Sequence, residues 1–149
     1  MKVAELYDLD FVRWAEENAE LLRARRFGEV DIEHVAEQIE NLVKRNLLEI
    51  RARLVRLIGH LMKWQFEPER RVPEWERTIL IQRQRIGYLL QDSPSLRPAL
   101  ANLAGDAYRD AAKIVSRATG RPLNELPETC PYNTEQLLDE DYLPDGGER

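Results

Sequence analysis

An all-α fold is what this chain predicts, and three observations carry it. Apolar residues recur at intervals of three and four along four long segments, the period-two alternation of strands is absent, and proline and glycine gather in the breaks between segments. Short breaks make neighbouring helices antiparallel. The expected architecture is therefore a four-helix bundle over residues 7–120, with a C-terminal extended arm over 121–149 that carries one short helix and packs on the bundle. A chain of 149 residues is long enough to do this as a single domain, without disulfides or a structural metal.

Residues 7–27 read as the first helix, with Phe11, Trp14 or Ala15, Asn18 or Ala19, and Leu22 on one face, Asp8 or Asp10 as its cap and Gly28 as its stop. A second helix begins after Asp31, whose carboxylate is placed to accept the free first-turn amides. Val35, Ile39, Leu42, Val43, Ile50, Leu54, Leu57, Ile58 and Leu61 continue one apolar stripe along it. An unbroken helix to Gln65 would be roughly 50 Å long at 1.5 Å per residue, so a bend is expected at Lys44–Asn46 or Gly59. Gly59 also reads as a point where another helix approaches closely. Pro68 and Pro73 make Phe66–Pro73 a turn. Glu74–Leu90 is the third helix, with Trp75, Ile79, Gln82, Ile86 and Leu89 or Leu90 on its inner face. After the break at Asp92-Ser93-Pro94-Ser95, a fourth helix carries Leu96, Leu100, Leu103, Ala107, Ala111, Ile114 or Val115, and Ala118 to a stop at Gly120. Four prolines then hold the arm extended, apart from a short helix at Thr134–Leu138 capped by Thr134, and residues 145–149 fray.

The net charge of −5 is unevenly spread. Residues 1–43 carry five cations against eleven acids, residues 44–85 eleven cations against five acids, and the last 28 residues one cation against eight acids. A basic middle between acidic ends suits an anionic partner, or lets the ends fold back on the middle. No stretch is apolar enough to span a membrane, and the acidic N-terminus is unlike a signal peptide, so the expected location is the cytoplasm. A lone cysteine, Cys130, reads as a small buried or half-buried thiol.

No GxGxxG, Walker loop, HExxH, GxSxG or paired CxxC is present, and neither a cofactor nor a metal is expected. Asp31 and His34 give half of the carboxylate-x-x-His pattern that a di-iron bundle uses, but Leu57 stands where His60 would need its carboxylate. The richest stretch is His60–Arg85, which holds two of the three tryptophans, six Lys and Arg, and two prolines at a bend. Guanidinium forks bind carboxylate or phosphate in pairs, and tryptophan supplies an apolar wall. Lys63, Trp64, Arg70, Arg71, Trp75, Arg77 and Arg83 are therefore the expected ligand-binding residues, with Arg85 and His60 beside them. The structural alternative has Glu67, Glu69, Glu74 and Glu76 cancel these arginines as ion pairs bracing the turn, with the tryptophans in the core. His60, Glu40 and Glu37 are the candidate acid–base residues, since imidazole titrates near neutrality and burial tunes carboxylates. Overall acidity, with no RNA-type aromatic motif or helix-turn-helix, disfavours nucleic acid.

Several short motifs run in order along the chain: Tyr7-Asp8-x-Asp10-Phe11-x-x-Trp14, Glu37-x-Ile39-Glu40-x-Leu42, His60-Leu61-x-Lys63-Trp64-Gln65, Pro68-x-x-Arg71 and Trp75-x-x-Thr78-Ile79. Leu89-Leu90-x-Asp92-Ser93-Pro94-Ser95-Leu96, Ala107-Tyr108, Cys130-Pro131-Tyr132 and Tyr142-Leu143-Pro144 complete the set. In these the chain resembles the bacterial family called domain of unknown function 29. Gln38 departs from the acidic pair such proteins often carry before the isoleucine. The resemblance implies an all-helical bacterial protein and transfers no catalytic residue. Two functional expectations follow from the residues. One is a small cytoplasmic helical interaction module that holds a protein or anionic partner through the 60–85 surface. The other is an enzyme acting on a phosphorylated or nucleotide-like substrate, with His60 and Glu40 as acid and base.

Overall fold

The structure, a computed structural model, describes residues 1–145; of the residues expected to fray, 146–149 lie outside the described residues. The fold is all-α. Helices α1 (Leu6–Leu9) and α2 (Phe11–Arg23) meet at Asp10, and α3 (Ile32–Phe66), α4 (Pro73–Asp92), α5 (Leu100–Thr119) and α6 (Thr134–Leu138) follow through connections that each contain a 3-10 turn, with no strand among the described residues. The chain divides into two compact units, residues 1–45 and the residues from Asn46 onward.

In the first unit the helix expected at 7–27 is split and shortened. Asp10 ends α1 and caps α2, its side chain accepting from the Arg13 amide at 3.1 Å. The inner face of α2 is Trp14 and Asn18, while Phe11 and Leu22 stay exposed. Gly28 is not its stop. The helix ends at Arg23, and the chain reverses through Arg25, which takes the left-handed conformation at φ 60°. Two amide bonds close that turn, Arg25 to the Leu22 carbonyl and Arg26 to the Leu21 carbonyl, the pattern that usually recruits glycine.

The bend expected in the second helix is absent. α3 runs unbroken for 35 residues through both Lys44–Asn46 and Gly59. Its apolar stripe is continuous, but burial is not. Ile50, Leu54, Leu57, Ile58 and Leu61 are sealed in the second unit, whereas Ile39, Leu42 and Val43, expected as core, are more than half exposed. The reason is which side of α3 the first unit uses. α1 and α2 reach it through Asp31, His34 and Gln38, and the last two lie roughly 100–140° around the helix from Ile39.

The second unit packs the lower stripe of α3 against Ile79, Ile86 and Leu90 of α4 and against Leu100, Ala104, Ala107, Tyr108, Ala111, Ala112 and Val115 of α5. Of the open alternatives, Leu90 and Val115 are buried; Ile114 faces out. Alanines let α5 come close, and a Cβ added to Gly59 would meet Val115 Cγ2 at 3.9 Å, an ordinary contact. Pro73 opens α4 at a position where its missing amide costs nothing. α5 begins at Leu100 rather than Leu96: Pro94–Ala99 forms a 3-10 turn, because Pro98 has no amide to continue an α-helical ladder. Gly120, at φ 76°, ends α5 as expected. The arm contributes Leu126, Tyr132 and Leu137 to the core, and Asn133, not Thr134, caps α6 in a reciprocal capping box with Gln136.

Candidate functional site

The last three turns of α3 bring Arg56, His60 and Lys63 to one face, four and three residues apart. His60 is half-buried, and its Nδ1 lies 2.8 Å from the Arg56 carbonyl. A carbonyl only accepts, so Nδ1 carries the proton and Nε2 is left to act as acceptor or, when the ring is charged, as a second donor. Burial holds the His60 pKa below its ordinary value. The Arg56 carbonyl opposes this, and the Lys63 and Arg56 charges add to it. The Lys63 ammonium stands 5.9 Å from the centre of the Trp75 ring, within cation–π range. Neither Arg56 nor Lys63 has a carboxylate partner among the described residues.

The turn beyond is braced from within. The Arg71 guanidinium lies 4.5 Å from the Trp64 ring, and its Nε donates to the Trp64 carbonyl at 2.8 Å, so both are committed to the turn. Arg121 Nη2 donates to the Phe66 carbonyl at 2.7 Å and to Glu67 at 2.9 Å. Glu67 meets Arg70 only loosely, at 3.7 Å, and Arg70 remains exposed. Of the four glutamates expected to cancel the arginines, Glu67 alone forms ion pairs among the described residues. Arg77 and Arg85 are exposed on α4 without an ion pair among the described residues.

Arg83 requires correction. Expected on a ligand surface, it is 2% exposed and donates to three main-chain carbonyls, Leu137 at 2.9 Å, Tyr142 at 2.7 Å and Gln136 at 2.8 Å. Its guanidinium ties α4 to the arm and has no fork left for a ligand. The acid–base pair also divides. Glu37 and Glu40 are exposed in the first unit, while His60 belongs to the second. Of the expected site residues, Lys63, Trp75 and His60 gather, Trp64 and Arg71 brace the adjoining turn, and Arg56 is the member the sequence counted only as charge.

A second polar cluster lies in the first unit. Asp31 Oδ2 accepts from the Trp14 indole at 2.8 Å and lies 2.7 Å from His34 Nδ1. Tyr7 stacks on the His34 ring with centres 3.8 Å apart, and Gln38 donates to the Tyr7 hydroxyl at 2.6 Å. Burial pushes the Asp31 pKa up, but the hydrogen bonds from Trp14 and His34 outweigh it and hold the carboxyl below its ordinary range. The half-site read from Asp31 and His34 is thus turned inward, each satisfying the other. No group of three or more His, Cys, Asp or Glu suited to a metal occurs among the described residues. Tyr7 and Trp14 were visible as motif residues, but only folding shows that they serve Asp31 and His34. A cleft of ≈ 900 Å³ in this unit, with Glu17, Glu20 and Glu33 around Leu21 and Val30, contains none of the expected site residues.

The Cys130 thiol donates to the Tyr132 carbonyl at 3.5 Å, and burial pushes its pKa up, which keeps it protonated. No helix among the described residues is long and apolar enough to cross a membrane. Comparison with curated proteins and with solved structures finds no match. A family model described as "Domain of unknown function DUF29" matches residues 6–143, nearly the whole chain, and the protein therefore belongs to the DUF29 family.

Proposed function

We propose that this protein is a small cytoplasmic interaction module, scaffolded by the four-helix packing read from its sequence, that holds an acidic segment of a protein partner on the face formed by Arg56, His60, Lys63 and Trp75. One observation carries the reading: Arg56, His60 and Lys63 share one face of α3, and neither cation has a carboxylate partner among the described residues. A surface that gathers like charges around a half-buried imidazole stores repulsion that a bound anion relieves. Trp75 supplies the apolar contact that lets such a surface hold a side chain as well as a charge.

The enzymatic reading uses the same cations but needs an acid beside His60. The cationic setting of His60 and the position of Glu40 in the other unit favour capture over turnover. The test is calorimetric titration of the full chain with a hexaglutamate peptide at low and moderate salt. Binding that weakens with salt, and that falls about tenfold or more in Arg56→Gln/Lys63→Gln as charge-assisted hydrogen bonds worth about 1.5–3 kcal/mol are lost, supports the proposal. Equal binding by wild type and double variant contradicts it.

A further inference from the structure

We propose that the face of α3 presented by Ile32, Ile39, Leu42 and Val43 is a docking surface for a basic amphipathic helix of a partner protein. These four side chains are 61%, 59%, 55% and 52% exposed and stand at intervals of seven, three and one, on a single stripe. Further along the same helix that stripe continues as Ile50, Leu54, Leu57, Ile58 and Leu61, none more than 1% exposed. The helix is patterned for cover along its length, and the upper half lacks it. Contiguous large apolar side chains left in water mark an interaction surface rather than chance.

The charge beside the stripe selects the occupant. Glu33, Glu37 and Glu40 follow one another at four and three residues, all exposed, and none has a side-chain hydrogen bond or an ion pair among the described residues. At 100° per residue, Glu33 and Glu40 border the apolar stripe on one side, with Glu37 and the exposed Lys44 just behind them, so the flank carries three carboxylates against one ammonium. An apolar strip edged by unneutralised carboxylates fits a helix with leucine-like anchors at i, i+3 or i+4, and i+7 and with lysine or arginine along one flank. A second copy of this chain fits poorly. Antiparallel pairing that overlaps the two exposed stripes sets Glu37 and Glu40 of one copy beside the same residues of the other, and these like charges oppose the contact more than the pairing of Lys44 with Glu33 favours it. An anionic lipid surface is opposed by the same carboxylates.

The experiment uses the full chain and two fluorescent 16-residue helical peptides with one leucine pattern, one carrying lysine on its polar flank and the other glutamate. The lysine peptide is expected to bind in an anisotropy titration, and the glutamate peptide to bind at least tenfold more weakly. Ile39→Ser/Val43→Ser should weaken the lysine peptide tenfold or more. These side chains are exposed, so the melting temperature should hold. Ile114→Ser, which removes a similarly exposed apolar side chain from α5, should leave binding unchanged. Glu37→Lys/Glu40→Lys should exchange the preference, admitting the glutamate peptide and rejecting the lysine one. Equal affinity for the two peptides, or lysine-peptide binding that survives the serine variant, overturns the proposal. So does a wild-type dimer in light scattering that Ile39→Ser converts to monomer, because the face would then belong to a second copy.

Discussion

Replacing Arg83 with methionine isolates a guanidinium that joins α4 to the C-terminal arm. Methionine keeps most of the side chain's length and apolar volume, so what is lost is three hydrogen bonds, at 2.9, 2.7 and 2.8 Å. A hydrogen bond from a charged donor contributes about 1.5–3 kcal/mol, so three at the lower end give roughly 4–5 kcal/mol. Against this stands the cost of burying a guanidinium that remains charged; burial already lowers the Arg83 pKa, with Asp139, Tyr142 and Glu140 pulling it back. A net loss of about 3 kcal/mol is expected. For a chain of this length, 1 kcal/mol moves the melting temperature by roughly 2–4 °C, so the variant should melt about 6–12 °C lower by circular dichroism at 222 nm. The damage should also be local. Limited proteolysis should cut the arm between residues 121 and 145 well before the helices, because carbonyls left without donors favour an open arm. Arg83→Lys should recover only part of the loss, since one ammonium cannot reach three carbonyls as a planar fork does. A melting temperature within 2 °C of wild type, with the arm equally protected, would refute the assignment of Arg83 as a brace.

Four further outcomes are expected. Asp31 is depressed in the fold, so its stabilising contribution is present above the ordinary carboxylate range and disappears as pH falls through its lowered value. Urea midpoints from pH 7 to pH 3 should show wild type and Asp31→Asn converging in acid, and a constant gap would contradict this. Gly59→Ala should stabilise by roughly 0.5–1 kcal/mol in chemical denaturation, because the added methyl meets Val115 at 3.9 Å and the helix loses a flexible residue; a loss would mean that the approach is tighter than drawn. Gly120→Ala should cost about 1 kcal/mol by forcing a side chain into φ 76°, whereas Arg25→Gly, at φ 60°, should gain up to about that much. Tyr132→Phe removes the 2.8 Å bond to Gln65 and should cost about 1 kcal/mol by melting, and no change would show that water replaces the contact.

What the sequence made legible is what local chemistry decides. Gly120 ends α5 because only a residue without Cβ turns left-handed cheaply, whereas Pro73, read as the end of the turn, opens α4 because the first-turn amide is expendable. The lower stripe of α3 was legible because periodicity names the apolar side. It does not say whether anything covers that side, which is why Ile39, Leu42 and Val43 read as core and stand in water. Arg83 was misread for a related reason. On an amphipathic helix an arginine that holds a ligand and one that holds a carbonyl look alike, and its acceptors lie 53 to 59 residues away. Trp14 and Asp31, 17 residues apart, likewise met only through folding. Arg25 hid the end of α2 because an arginine in the left-handed region carries no glycine signal.

The field around His60 is read most directly from the pKa of its imidazole by NMR, first in the free protein and then with hexaglutamate peptide. The free value should lie below the ordinary histidine range of about 6.5, and should rise in Arg56→Gln and in Lys63→Gln as one repelling charge is removed. Bound peptide should raise it in the wild type. An ordinary free value that neither variant nor peptide moves would contradict the claim that Arg56, His60 and Lys63 form one anion-seeking surface.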